Sequence, residues 1–368
     1  MRADGAAKPG MSALPRHLPI LAAKRARGGY ERAYQERERT AATRLCDERG
    51  LLNPDAVGWS RFPRVTANLS GHRLRKKRWN FWSWIGRRFV FSVTVADLDY
   101  ASFCSFFFID FETGERVAGM DPRRGGYIAM PEEVERTLRW RSAKTDYALV
   151  NEGGDLAVEF RGRGGAGEEV AAAFTVRKPP EHESLNIVVP WTRRRFQLNS
   201  KHNTLRCEGE VVIAGRRYEM RPDDCHAVQD FGRGVWPYRS CWNWAVCTGE
   251  QGGELVGVNL GDRWTTGTGV NENGICHAGR LHKVMEDLEW RYDPADWMRP
   301  WRIRSVVSDA IDLTLTPFFA HTTGLNLGLL ATGGTCAFGL WSGAVRFEGR
   351  EVAIRDQVGW AEEFAHRW

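Results

Sequence analysis

The sequence predicts an all-β protein of two tandem β-barrel or sandwich halves, preceded by an N-terminal extension that is disordered or helical. Short apolar or alternating runs follow one another after Pro54, as strands do. Glycine-containing turn signals separate these runs, for example at residues 112–114 and 252–253. Trp79-Asn80-Phe81-Trp82 is echoed later by Trp242-Asn243-Trp244, as a tandem duplication would produce. Chance similarity between ring-rich strands is the alternative.

The N-terminal extension covers residues 1–45 and is basic. Prolines interrupt residues 1–30, which favours a disordered tail, with an organellar targeting peptide as the alternative. Residues 30–48 are rich in Glu, Arg, Ala and Gln, which favours a solvated helix. Without a targeting function for this extension, we expect a cytoplasmic protein.

The strand candidates divide into a first half at residues 46–190 and a second half at residues 191–368, joined near Pro190. The second half carries the segment from Asp230 to Tyr238. The predicted strands are residues 79–85, 89–96, 100–110, 147–151, 156–160, 171–176, 185–189, 205–213, 242–248, 254–260, 311–315 and 335–345.

Bulk composition excludes several classes of protein. The net charge of +6 comes from the N-terminus and from residues 73–78, and no nucleic-acid-binding motif appears. The eight cysteines are scattered without a C-x-x-C pair, so we expect reduced thiols and no metal site. No run is long and apolar enough to span a bilayer, which leaves peripheral membrane association open. The oligomeric state cannot be inferred from the sequence.

The segment from Gln229 to Tyr238 is the strongest candidate for a site, because it combines an acid, an arginine, two glycines and large rings. Asp230 and Arg233 are three residues apart, which would bring them within pairing distance on a turn or helical loop. A buried Asp230 would act as proton donor or acceptor, assisted by His226 or Tyr238. A purely structural ion pair is the alternative, and so is ligand anchoring by Arg233.

Sixteen tryptophans suggest an apolar pocket with a few polar points, although a solid ring-rich core is the alternative. Asp230 and Arg233 would form the polar end of this pocket. Glu272 would join Asp230 if it projected back from its predicted turn, so that two carboxylates could share acid and base roles. The predicted ligand-binding residues are Arg233, Trp236, Trp242, Asn243, Trp244, Trp79, Asn80, Trp82 and Glu272.

Five blocks of the sequence carry a family resemblance: residues 77–80, residues 96–100, Asp230-Phe231-Gly232-Arg233-Gly234-Val235-Trp236-Pro237-Tyr238, Trp242-Asn243-Trp244 and Asn271-Glu272-Asn273. They resemble the uncharacterised domain of unknown function family 2804, from about Cys46 to the end of the chain, where Gly359-Trp360-Ala361-Glu362-Glu363 also fits. Phe231 stands where the family is expected to favour tryptophan. The family offers no established catalytic residues.

More distantly, the chain resembles the lipocalin-like superfamily that includes carotenoid hydratases and tocopherol cyclases. This resemblance implies two lipocalin-like halves and large apolar ligands, by analogy of fold alone. We therefore expect binding of a bulky lipid, terpenoid or polyketide-like molecule, with acid–base isomerisation, hydration or cyclisation as the added hypothesis. Such a lyase or isomerase would require no cofactor. The alternative is a non-catalytic structural or assembly protein.

Overall fold

The computed structural model describes residues 35–134 and 136–368. These residues form strands almost throughout, and the one helical element among them is a single 3-10 turn, Pro54–Ala56. The strands are β1 (Thr43–Arg44), β2 (Gly58–Ser60), β3 (Val65–Thr66), β4 (Lys76–Ile85), β5 (Phe89–Asp97), β6 (Ala101–Asp110), β7 (Arg116–Arg124), β8 (Leu138–Arg141), β9 (Asp146–Glu152), β10 (Asp155–Arg163), β11 (Glu169–Val176), β12 (Leu185–Thr192), β13 (Arg195–Ile213), β14 (Arg216–Met220), β15 (His226–Val235), β16 (Arg239–Gln251), β17 (Glu254–Asp262), β18 (Gly274–His277), β19 (Arg280–Lys283), β20 (Leu288–Arg291), β21 (Trp301–Ser305), β22 (Ile311–Asn326), β23 (Ala331–Phe347) and β24 (Arg350–Arg367).

Two large curled sheets share one topology. The first has the order β7-β6-β5-β4-β15-β13-β11-β10-β9-β8; β12 and β14 also pair with β13, and β2 pairs with β12. The second has the order β19-β18-β17-β16-β24-β23-β22-β21-β20. In each sheet, four consecutive strands form an antiparallel meander, β4 to β7 in the first sheet and β16 to β19 in the second. The first strand of this meander pairs with the last strand of a longer meander, which is β15 in the first sheet and β24 in the second. The prediction of an all-β protein with two similar tandem halves is confirmed.

The concave side of each sheet is filled by its own side chains. In the first half, Trp82 and Trp84 stack with ring centroids 6.1 Å apart inside a cluster of phenylalanines and aliphatic residues. In the second half, Trp301 and Trp341 lie in a largely aliphatic cluster. Trp82 was predicted to line a pocket, but it is part of this core, with 1% of its surface exposed.

The opposite faces of the two sheets pack against each other. Successive residues of a strand point to opposite sides, so Phe81 and Ile85 of β4 face away from the core that holds Trp82. Together with Val228 of β15 they contact Trp244 and Trp360 of the second sheet. This layer between the halves is where the candidate site lies.

The change from one sheet to the other falls between Val235 and Arg239, whereas the sequence suggested a junction near Pro190. Pro190 lies within β12, which pairs with β13 of the first sheet. The long strand β13 explains the difference, because it pairs with β12 and β15 at one end and with β11 and β14 at the other. The segment around Asp230 therefore belongs to the first sheet.

Residues 35–48 were predicted as part of a solvated helix, and this prediction is wrong. They form an extended segment in which Leu45 and Cys46 are buried in a small apolar cluster. The Glu36 carboxylate also lies 2.7 Å from Lys283 Nζ of the second half, so tertiary contacts override the helical propensity. The predictions of disorder and targeting for the first thirty residues fall outside the described part of the chain. Among the residues described, no helix has the length and apolar character needed to cross a membrane.

Candidate functional site

Asp230 lies at the centre of β15 and faces the layer between the halves. Its direct cross-strand neighbour is Lys201 on β13. Lys201 Nζ lies 3.0 Å from Asp230 Oδ2, and Asn199 Nδ2 donates a 2.8 Å hydrogen bond to Asp230 Oδ1. The Asp230 side chain retains 14% of its exposure, so solvent and small solutes can reach it.

Lys201 connects the two halves through its buried ammonium group. Nζ lies 3.3 Å from Oε2 of Glu272 and 3.8 Å from the ring centroid of Trp244, a cation–π contact. Burial alone would lower the pKa of Lys201, but the carboxylates of Asp230 and Glu272 outweigh it and raise this pKa above its usual value. The ammonium therefore stays charged although it is shielded from water.

Glu272 is buried and reaches Lys201 from the segment between β17 and β18. Asp230, Lys201 and Glu272, together with Glu362 described below, are called the charged cluster. Its Oε1 accepts a hydrogen bond from Trp264 Nε1. Gly261 makes room for it, because a Cβ at that position would lie 2.0 Å from Glu272 Oε1. Burial raises the pKa of Glu272 against the opposing effect of Lys201. The sequence analysis expected Glu272 to join Asp230 if it projected back from a turn, and in the structure both carboxylates contact Lys201.

Glu362 of β24 is a third carboxyl group in this layer. It lies directly opposite Trp244 in the strand register, and its Oε1 accepts a 2.8 Å hydrogen bond from Trp242 Nε1. Burial raises the pKa of Glu362 to about 7, with Asp230 and Glu272 contributing in the same direction. A carboxyl group with this pKa exchanges protons near neutral pH.

Arg233 does not pair with Asp230, so that prediction is wrong. The segment is a strand rather than a turn or helical loop, and residues three apart on a strand point to opposite faces. The buried Arg233 guanidinium donates to backbone oxygens instead, with Nε 2.9 Å from Pro131 O and Nη1 2.8 Å from Gly232 O. It also lies 3.6 Å from the ring centroid of Phe231. Arg233 fixes backbone on the far side of the sheet.

His226 and Tyr238 both lie away from Asp230. His226 begins β15, roughly 13 Å along the strand by its rise per residue. Neither of its ring nitrogens has a hydrogen-bond partner among the described residues, and burial lowers its pKa to about 4. Tyr238 lies in the connection between the sheets, is exposed, and donates its hydroxyl to Leu329 O. The structure does not bring these two side chains into the charged cluster.

Several of the predicted aromatic residues form a tryptophan cluster beside the charges. Trp236 is its centre and donates a 2.6 Å hydrogen bond from Nε1 to Gln197 Oε1. Its ring centroid lies within 6.2 Å of those of five other indoles. These neighbours are Trp79, Trp191, Trp242, Trp264 and Trp368. Four of the neighbours, all except Trp264, are only partly buried, so the cluster extends to the surface of the molecule.

Trp244 and the two predicted asparagines are placed separately. Trp244 lies under the Lys201 ammonium and donates from Nε1 to Asn259 Oδ1 at 2.7 Å. Asn80 accepts a 3.2 Å hydrogen bond from Gln229 Nε2 on the opposite face of the first sheet. Asn243 donates to Tyr292 Oη at 3.2 Å and to the backbone oxygen of Glu362 at 3.1 Å. Asn80 therefore lies outside the charged cluster. The contact of Asn243 with this cluster is its hydrogen bond to the backbone oxygen of Glu362.

Lys201 and Glu362 are site residues that the sequence analysis missed. A signal for Lys201 existed, because Gln197, Asn199, Lys201 and Asn203 alternate with other residues and so share one strand face. For Glu362 the sequence offered only its place in the block that resembles the family.

A cavity of about 470 Å³ lies elsewhere, between the N-terminal segment and the second sheet. Arg61 and Lys283 line it, and both already have carboxylate partners, at 3.0 Å from Glu38 and 2.7 Å from Glu36. None of the predicted site residues lines it. Over the described residues, no group of His, Cys, Asp and Glu side chains is arranged to hold a metal ion.

Comparison with solved structures finds similar folds at low identity. A protein described as AttH from Nitrosomonas europaea has a TM-score of 0.46 at 8% identity, covering 78% of this chain and 92% of its own. Kievitone hydratase from Nectria haematococca has a TM-score of 0.42 at 8% identity, covering 92% and 98%. CghA has a TM-score of 0.47 at 10% identity, covering 90% and 97%. These scores support no inference about activity.

No curated protein matches the sequence significantly. One family model does match, over residues 36–368, which is nearly all of the part that the structure describes. The matched region contains both sheets and every residue of the charged cluster. The expected family is therefore confirmed: the chain belongs to the domain of unknown function family DUF2804.

Proposed function

We propose that the tryptophan cluster between the two halves lines a crevice that binds a bulky apolar small molecule, and that carboxyl groups beside it catalyse a proton-transfer reaction such as isomerisation, hydration or cyclisation. The observation that supports this most directly is that Asp230 and Glu272 both contact the ammonium of Lys201, while a third carboxyl group, that of Glu362, lies opposite Trp244, the indole that this ammonium contacts. One carboxylate is enough to neutralise the Lys201 charge. The excess of acids is typical of a site that holds an exchangeable proton.

Glu362 is the proposed proton carrier. Three ionised carboxylates beside one ammonium would repel one another, so at least one keeps its proton more tightly than usual. The raised pKa of about 7 makes Glu362 able both to donate and to accept a proton near neutral pH. Asp230, held at 3.0 Å by Lys201, is the proposed partner that stabilises positive charge on the ligand.

The walls of the crevice favour an apolar ligand. Trp242 joins the two parts of the site, because it contacts Trp236 at 6.2 Å between centroids and hydrogen-bonds Glu362 through Nε1. A ligand lying on this indole would therefore have its atoms next to the Glu362 carboxyl group. Indole faces bind ring systems and isoprenoid chains through their large apolar area. The proposed chemistry uses only side chains and requires no cofactor.

Native mass spectrometry of the gently purified chain tests binding first, because a retained molecule would reveal the ligand class. Retinol, as a terpenoid probe, should quench tryptophan fluorescence in the wild type and bind at least about tenfold more weakly to Trp242→Ala. Trp297→Ala is the matched control, since Trp297 is also partly buried but lies in the second half away from the crevice. Equal loss in both variants would contradict a site at Trp242.

The catalytic part of the proposal has its own test. Once the retained molecule is identified, Glu362→Gln should reduce its conversion at least about a hundredfold, while binding and folding persist. Asp230→Asn should also reduce conversion. Unchanged binding with no conversion by the wild type would identify a carrier. Absence of both binding and conversion would support the structural alternative.

A further inference from the structure

The hairpin formed by β22 and β23 exposes an apolar tip. Leu325, Leu327 and Leu329 are exposed by 53%, 65% and 79%, which makes them, with Met120, Val307 and Leu74, the most exposed large apolar side chains in the described part of the chain. The other three are spread over the surface, whereas these leucines occupy alternate positions within five residues. A contiguous apolar projection of this kind indicates an interaction site.

Positive charge lies directly behind the tip. Arg239 of β16 is the cross-strand neighbour of Arg367 of β24, which in turn neighbours Ala331, the first residue of β23 after the tip. Like charges directly opposite each other destabilise a sheet unless a counter-charge approaches them. Residues 313–347, which include the tip and all of both arms except Ile311 and Asp312, contain no Asp or Glu. Among the described residues, the Arg367 guanidinium donates only to the neutral Asn326 side chain, at 3.2 Å.

The tip is also connected to the tryptophan cluster. Tyr238, itself 37% exposed, donates its hydroxyl to Leu329 O and accepts a 3.0 Å hydrogen bond from the Trp368 backbone. The Trp368 ring contacts Trp236, at 5.7 Å between centroids. The exposed leucines, the arginines and the edge of the crevice therefore lie at one end of the molecule.

From these three observations we propose that the tip of this hairpin docks the protein onto a lipid surface carrying anionic headgroups. The leucines enter the boundary between headgroups and acyl chains, Tyr238 lies at headgroup level, and Arg239 and Arg367 meet the lipid phosphates. Docking would hold the crevice against a reservoir of apolar molecules. It requires neither a particular ligand nor catalysis, so it can fail or succeed independently of the proposed function.

Sedimentation of the full chain with vesicles tests the proposal. The wild type should bind vesicles of phosphatidylcholine containing one quarter phosphatidylserine, more weakly at high salt, and bind pure phosphatidylcholine vesicles at least about fivefold more weakly. Replacing Leu325, Leu327 and Leu329 together by serine should weaken binding at least about tenfold. Arg239→Gln alone should weaken binding to the anionic vesicles by about fivefold.

A matched control removes the same kind of surface elsewhere. Replacing Met120, Val307 and Met298 by serine deletes three apolar side chains exposed by 60%, 55% and 45%, and should leave vesicle binding unchanged. The proposal is overturned if the wild type binds neither kind of vesicle, or if both triple variants bind equally well. Concentration-dependent self-association that the leucine variant abolishes, without vesicle binding, would instead identify the tip as a contact between copies of the chain and would also overturn the proposal.

Discussion

The ammonium of Lys201 and the carboxylate of Asp230 occupy directly opposite positions on β13 and β15, with 3.0 Å between Nζ and Oδ2. The same ammonium lies 3.3 Å from Glu272, which belongs to the second half. This side chain therefore holds two strands of one sheet together and joins that sheet to the other. Its ion pairs have structural as well as electrostatic consequences.

Lys201→Met should lower the free energy of unfolding by about 3 kcal/mol, because Glu272 would remain buried without its cation. Urea denaturation followed by circular dichroism measures this change. Arg163→Met is the control, since Arg163 and Glu169 form an exposed pair at 3.0 Å whose loss should cost under about 0.5 kcal/mol. Similar costs for the two variants would contradict the role assigned to Lys201.

Glu362 should make stability fall as pH rises toward neutrality. Its pKa is about 7 in the folded chain against an ordinary 4.5, so the folded state binds the proton more tightly. The resulting stabilisation is fully present below about pH 4.5 and is lost as pH rises through about 7. Glu362→Gln should remove about 2 kcal/mol of this decline, measured by urea denaturation over a pH series. Superimposable pH profiles of variant and wild type would refute the raised pKa.

His226 should make the stability of the folded chain fall as pH drops into the acidic range. Burial lowers its pKa from 6.5 to about 4, so the neutral form is preferred in the folded chain. The contribution to stability is present above about pH 6.5 and is lost as pH falls toward 4. Between about pH 7 and pH 4, the free energy of unfolding of His226→Leu should therefore fall by about 2 kcal/mol less than that of the wild type. Equal acid sensitivity, followed by tryptophan fluorescence, would argue against a buried neutral imidazole.

Gly232→Ala should disturb the tryptophan cluster, because an added Cβ would lie 2.1 Å from atoms of the Trp79 ring. We expect a loss of about 2 kcal/mol and a shift of the tryptophan emission maximum. Gly165→Ala is the control, since its nearest atom outside the neighbouring residues would be 3.7 Å from the new Cβ. An unchanged emission maximum in Gly232→Ala would show that Trp79 does not depend on this glycine.

The strand pattern and the turn glycines predicted the fold well, because alternating apolar residues and glycine turns are local signals. The partner of Asp230 was not predictable in the same way. Pairing it with Arg233 assumed a turn or helical loop, whereas a strand from His226 to Val235 turns those two side chains apart. The actual partner, Lys201, is far away in sequence and becomes a neighbour only through the register of β13 with β15.

The contacts of the site that cross between the two halves were equally difficult to predict from the sequence. Glu362 contributes through its place opposite Trp244, which depends on β24 closing onto β16. Glu272 was a predicted binding residue on the condition that it projected back from a turn at Asn273-Gly274, yet Gly274 begins β18 and the hairpin turns after His277. The missed Glu362 and the misplaced turn both concern contacts that only tertiary structure creates.

The division of the charges between the two sheets has a consequence for any fragment of the protein. Lys201 and Asp230 come from the first sheet, whereas Glu272 and Glu362 come from the second half. Neither half alone therefore contains the complete set, and cutting the chain between Val235 and Arg239 would leave Glu272 without its cation unless the two pieces reassembled.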